Sequence, residues 1–238
     1  MATSRELGEP IVVSTGTDSS SNGIPVIERY DRAANYSLRG REKVVFHELT
    51  GWGNSAPLAL AAFAVCAFML SMVNANLTDA AVTPYIWGVA LMFGGFTQLI
   101  AGFIQLRTGN TFAGVLFSAF GGFWLSLFAI VEFFQSSVPV AERGQALGLF
   151  LYAFAGFTVY MWLASFRTNL VTIAALGVLA LTLFLLAAGN YGGVDGLIHA
   201  GGYTGLVLAA LAAYLSASGV FEASYGRQVL PVGDRSRG

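Results

Sequence analysis

Residues 54–77, NSAPLALAAFAVCAFMLSMVNANL, decide the fold. From Ala56 to Leu77 no side chain carries a formal charge. A helix rising about 1.5 Å per residue would carry such a run across the roughly 30 Å of a bilayer's hydrocarbon core. Its doorway is also written for a helix start. Asn54 is a residue type that caps helices by accepting a first-turn N–H, and Pro57, lacking an N–H, costs nothing in that turn. A helix N-terminus built this way has partial positive charge and free donors, suited to a carboxylate. A plain cap at a membrane entry accounts for the same residues.

Working outward, five more apolar stretches predict spans at 85–106, 111–133, 145–165, 168–189 and 196–220, beside the first at 56–77. Their connections, NLTDAAVTP, RTGN, QSSVPVAERG, FRTN and GNYGGVDG, are rich in helix-ending and turn residues. Composition agrees: 55% of the 238 residues are hydrophobic and 11% charged, against about 25% charged in soluble domains. That charge cannot coat a globule of this size, so most of the surface must face lipid. The fold class read here is an all-α integral membrane protein, a six-transmembrane-helix bundle. Residues 51–222 form its six-helix transmembrane domain, 1–50 an N-terminal tail and 223–238 a C-terminal tail.

The N-terminal tail differs from the rest. STGTDSSSNG (14–23) is polar and of low complexity, which predicts disorder. ERYDRAANYSLRGREKVVFHEL (28–49) could lie as a short interfacial helix or as a solvated tail. No apolar core follows a basic start, so a secretory signal is not expected. Arg39, Arg41, Lys43, Arg107, Arg167, Arg227, Arg235 and Arg237 fall on one side of the predicted spans, and Arg143 on the other. With an even number of spans, this bias places both termini in the cytoplasm, with the plasma (inner) membrane as location.

Intramembrane polar residues normally face a bundle interior or a wet cavity. Here they are Asn74, Gln98, Ser118, Ser126, Thr158, Thr182, His199 and Thr204. None is a Lys or Arg that would hold a strongly ionic substrate, so a small, weakly polar or monovalent solute fits better. The lone Cys66 excludes an intrachain disulfide, and no His, Cys, Asp and Glu share metal-ligand spacing. No phosphate loop or nucleophile elbow occurs either. No metal, no cofactor and no enzymatic activity are expected, and a pI near 6.1 gives no footprint for nucleic acid. GxxxG at Gly144–Gly148 and Gly201–Gly205 predicts close helix packing, within the bundle or between copies.

NSAPLAL (54–60) resembles the NPAPLGL signature of the acetate uptake transporter family, to which the succinate–acetate permeases belong. The resemblance continues through GGFTQLIAGFIQLRTGNTFAGVLFSAFGGFWLS (94–126), AAGNYGG (187–193) and LIHAGGYTG (197–205). It closes on SYGRQVLPVG (224–233), similar to the family's FGR-x-VLP-x-G. It implies a homohexameric ring in which each protomer has its own pathway for acetate, and in some members succinate, often with protons. Asn54, Pro57 and Leu58, at the signature and the start of the first helix, are read as the substrate-binding entry, and Gln98, deep in the second span and within the match, as a mid-membrane hydrogen-bond donor. A hydrophobic constriction maps onto Phe63, nine residues past Asn54, Phe120, ten past Asn110, and Leu179, eleven before Asn190.

Departures from the pattern are informative. Ser55 stands where the signature has its first Pro, which should loosen the entry, and Ala59 stands where it has Gly. Phe120 replaces the constriction Tyr, so longer monocarboxylates such as propionate, or the neutral acid, become favoured. His199, whose intrinsic pKa near 6.5 suits proton shuttling, and Glu132 are candidates for proton coupling; a structural histidine and a solvated carboxylate are the alternatives. A passive anion channel and a non-transporting carboxylate sensor or scaffold stand as rival functions. The sensor reading draws on the long N-terminal tail.

Overall fold

The computed structural model describes residues 52–235. The predicted tail segments at 14–23 and 28–49 lie outside them. Six helices are long and apolar enough to cross a membrane: α1 (Ala56–Asn74), α2 (Ala80–Arg107), α3 (Thr111–Ser137), α4 (Val140–Ser165), α5 (Leu170–Gly192) and α6 (Asp195–Tyr225). All six predicted spans are present. α2 and α4 begin five residues earlier than read, because Asp79 accepts the N–H of Ala81 at 2.8 Å and Pro139 opens the turn before α4. Short one-turn starts of this kind carry the chain into each helix.

The caps follow from the connecting residues. Asn110 accepts the N–H of Ala113 at 3.2 Å, and Asn169 that of Thr172 at 2.8 Å. Gly193 and Gly226 end α5 and α6 with φ of 65° and 66°, the left-handed conformation that glycine adopts without cost. Two helices are wound wider along part of their length. Ala90–Thr97 of α2 and Ile130–Phe134 of α3 are π-helical. In α2 the hydroxyl of Thr97 donates to the carbonyl of Met92, five residues back, at 3.0 Å. Such wide turns re-aim the side chains beside them.

The helices pack in ring order, each against its neighbours in the chain, with α6 returning against α1. Small residues set the spacing. A Cβ at Gly202 would run into the backbone of Ala75, and one at Gly148 would lie 2.8 Å from the carbonyl of Ala187. Both GxxxG pairs therefore serve contacts inside the protomer, α4 with α5 and α6 with α1 and α5. The α3–α4 seam is different: backbones stand apart and aromatic rings fill it. Phe123 stacks on Phe150 at 5.3 Å and meets Phe154 edge-on at 5.0 Å.

α1, α3 and α5 start, and α2, α4 and α6 finish, at the same end of the bundle, here the Asn54 end. The residues after α6 fold back over it. The carbonyl of Gly233 accepts the N–H of Leu170 at 3.0 Å and that of Val232 the N–H of Val171 at 3.3 Å. Tyr214 donates to the carbonyl of Pro231 at 2.8 Å. Free donors of the α5 start are thus met by the segment that follows α6.

Candidate functional site

At the Asn54 end, side chains from three elements converge. Ser55 occupies the cap position of α1, and its hydroxyl donates to the carbonyl of Ala101 in α2 at 2.8 Å. Asn54 accepts the N–H of Ala56 at 3.0 Å, the first donor of the helix rather than one further in. The Gln105 amide lies 3.0 Å from both Asn54 Oδ1 and Ser55 Oγ, and its other end is 2.8 Å from the Asn110 amide. With Nε2 toward α1 that amide donates to Asn54 and Ser55 and accepts from Asn110; turned over, Oε1 instead accepts from the backbone N–H groups of Ser55 at 3.2 Å and Ala56 at 3.1 Å.

This network corrects one expectation. Ser55 does not loosen the entry: it is buried and bonded to α2, so hydrogen bonds do what a proline ring does by covalent constraint. Pro57 is held as well, its carbonyl accepting Ser216 Oγ of α6 at 2.7 Å. Leu58 points away from the bundle and is 47% exposed. Gln105 and Asn110 were not singled out from the sequence. Gln105 lies 51 residues from Asn54, and its place near the end of an apolar span just before RTGN was the only hint.

Phe63, Phe120 and Leu179 come together, all buried, from α1, α3 and α5. The rings of Phe63 and Phe120 meet edge-to-face with centroids 5.5 Å apart. Phe120 is braced from behind by Phe123, Phe154 and Phe157 at 5.8–6.2 Å. An edge-to-face aromatic cluster of this kind fixes ring orientation as well as filling space.

Beyond this triad, away from Asn54, opens a cavity of about 380 Å³. Phe63, Phe120 and Leu179 line it together with Leu127, Leu151, Leu183 and Leu208. Its polar lining is Ser71, Asn74, Thr83, Gln135, Thr182 and Asn190, and no charged side chain is among the lining residues. The chamber can therefore solvate a small solute with hydroxyls and amides while its floor resists charge.

The other expected residues are placed as follows. Gln98 is 1% exposed, outside the cavity lining, and its Oε1 has no partner among the described residues. On α2 it lies between the Gln105 network and the wide turn. His199 is half-buried on α6 and Glu132 exposed on the wide turn of α3; neither lines the cavity. Among the described residues no group of His, Cys, Asp and Glu could hold a metal.

Residues 43–233 match the profile of the GPR1/FUN34/yaaH family. The ammonia transport outward protein 2 of Saccharomyces cerevisiae is 34% identical over 71% of this chain, which spans only 62% of that relative's length. The succinate-acetate/proton symporter SatP of Escherichia coli is 32% identical over 78% of this chain and 97% of its own. Acetate permease A of Emericella nidulans is 32% identical over 78% of this chain and 67% of its own. The solved structure of the bacterial acetate channel SatP superposes with a TM-score of 0.72 at 32% identity, over 76% of this chain and 99% of that one. With the match running unbroken from ahead of α1 to the strap that follows α6, the chain is a multi-pass membrane protein that belongs to the GPR1/FUN34/yaaH family.

Proposed function

We propose that this protein carries acetate and related short monocarboxylates, with succinate as a larger candidate, across the membrane through the chamber of each protomer. The observation that carries the reading is the pairing of an apolar triad, Phe63, Phe120 and Leu179, with a chamber whose polar lining is uncharged. An apolar waist passes a methyl group readily and resists a carboxylate, so it separates two polar stations and sets the barrier. The names of the bacterial and fungal relatives, acetate transporters and an acetate channel, support the substrate class.

On the cytoplasmic side, the entry station is Asn54 with Pro57 and Leu58 at the start of α1, and Gln98 assists the solute deeper in. Protons accompany the substrate, with His199 and, less centrally, Glu132 as relay groups. Arg107, Arg167, Arg227 and Arg235 stand at the Asn54 end and Arg143 at the other, which supports cytoplasmic termini by the positive-inside bias. Leu58 and other apolar side chains on the outer face of α1 suit a homohexameric ring in the plasma membrane. The N-terminal tail 1–50, the six-helix domain 51–222 and the C-terminal tail 223–238 are the corresponding units.

The test is uptake of radiolabelled acetate into proteoliposomes, with and without an inward proton gradient, with propionate and ammonium as competitors. Saturable uptake that the gradient accelerates and propionate competes is the expected result. Gradient-independent uptake makes the protein a channel, and competition by ammonium alone would overturn the carboxylate reading.

A further inference from the structure

The chamber wall opposite the aromatic seam carries a hydroxyl cluster built from three helices. Ser71 is the only hydroxyl residue of α1, is 6% exposed and lines the chamber. Its Oγ makes no hydrogen bond with any described residue. Its hydroxyl therefore faces the chamber with a free proton to donate to a ligand there. Facing it, Thr182 of α5 is 5% exposed and also lines the chamber.

Two features hold these hydroxyls together. Gly205 of α6 sits between them: a Cβ there would fall on Ser71 Oγ and 3.5 Å from the methyl of Thr182. The absent side chain is what leaves the two residues side by side over one patch of wall. Behind them, Thr182 Oγ1 lies 2.9 Å from Thr204 Oγ1, which is in turn 3.1 Å from the carbonyl of Gly201. Hydroxyl protons rotate to suit their partners. With an anion in the chamber, Thr204 can donate to Thr182 and Thr182 to the anion. One neutral bond to Gly201 is then exchanged for a charge-assisted one, which is the stronger kind.

We propose that Ser71 and Thr182 form a carboxylate-binding subsite on the far side of the aromatic waist, with Thr204 as the positioning residue that supplies the Thr182 proton. The ligand class is a short monocarboxylate. Its two oxygens take the Ser71 and Thr182 hydroxyls, and its alkyl end lies toward Leu183 and Leu208. Thr182 is three residues from Leu179, about 4.5 Å along α5, so a solute leaving the waist meets this pair within one turn. The proposal rests on the monocarboxylate reading above and adds the station that receives the solute after the waist.

Trp87 and Trp124 line the same chamber, which gives a binding signal independent of transport. Acetate and propionate are titrated into the detergent-purified protein while tryptophan fluorescence is followed, and uptake is measured in parallel in proteoliposomes. Ser71→Ala and Thr182→Val should each raise the half-saturating concentration in both assays by about tenfold, the loss of one charge-assisted bond. Thr182→Ser should recover most of the affinity, and Thr204→Val should give a smaller rise. Thr158→Val, which removes a buried hydroxyl bonded to Phe154 within α4 and away from the chamber, should leave both curves unchanged.

Size-exclusion profiles and the Thr182→Ser rescue distinguish a lost ligand contact from a lost fold. Wild-type uptake with unchanged half-saturation in Ser71→Ala and Thr182→Val overturns the subsite and leaves the transport reading standing. A wild type that neither binds nor carries acetate or propionate overturns both.

Discussion

The two ends of the bundle solve the problem of polar groups in a membrane in opposite ways. At the Asn54 end, the amides of Gln105 and Asn110, the Ser55 hydroxyl and Asn54, which takes the first N–H of α1, bond to one another and to the carbonyl of Ala101 in a closed network. Past the aromatic waist, the chamber leaves the Ser71 hydroxyl without a partner among the described residues, in a wall where a few uncharged hydroxyls and amides interrupt leucine and aromatic carbon. A closed network rigidifies, since every broken bond leaves a buried group unpaired. A partly unsatisfied wall instead keeps hydrogen-bonding capacity for a passing solute. On the proposed reading, the first end is a fixed frame and the second a place of exchange, with Phe63, Phe120 and Leu179 as the boundary between them.

The most damaging way to break that comparison is to remove the packing both ends depend on. Gly202→Val puts side-chain atoms into the backbone of Ala75. The expected outcome is loss of the monodisperse peak in size-exclusion chromatography. Phe120→Ala is next. It deletes a ring that is 2% exposed and contacts four other aromatic rings. The cost should be about 3 kcal/mol or more in a thermal or denaturant unfolding assay, with faster and less selective solute flux through whatever protein remains folded.

A more local break tests the frame. Gln105→Ala strands the Ser55 and Asn110 groups and should destabilise the protein by about 1–3 kcal/mol, read as a lower melting temperature, with substrate affinity at the chamber unchanged. Phe120→Tyr sharpens the boundary. A hydroxyl at the waist should move the ratio of acetate to propionate uptake toward acetate by a few-fold, and identical ratios would sink the idea that the apolar waist sets preference. The smallest effect is expected for Glu132→Gln. The exposed carboxylate stands outside the chamber lining, so gradient-driven uptake should change by no more than about twofold, measured as the ratio of initial rates with and without the gradient.

Much of the frame was legible in the sequence because its signals are local. Six apolar runs and the Asn, Gly and Pro residues that punctuate their connections all act within a few residues of where they are written. The triad was legible only through its distances from family motifs; no hydropathy pattern distinguishes Phe63 from Phe68, which points outward. What remained hidden depends on contacts far apart in the chain. Gln105 meets Asn54 across 51 residues and Ser216 meets Pro57 across 159. Thr182 and Thr204 were visible as intramembrane hydroxyls, yet nothing local pairs them. Ser71 could have been noticed as the lone hydroxyl of α1. The wide turns of α2 and α3 leave no mark in composition, because their residues are as apolar as those of an ordinary helix.

The central claim is that solute passes through the chamber beyond the aromatic waist. Leu183 lines that chamber and is 4% exposed, and the free volume beside it can take a larger side chain. The most direct measurement is the initial rate of radiolabelled acetate uptake into proteoliposomes by wild type and by Leu183→Trp, matched for size-exclusion profile. The account predicts saturable uptake by the wild type and near-complete loss in the plugged variant. Equal rates in the two would place the pathway elsewhere in the molecule and contradict it.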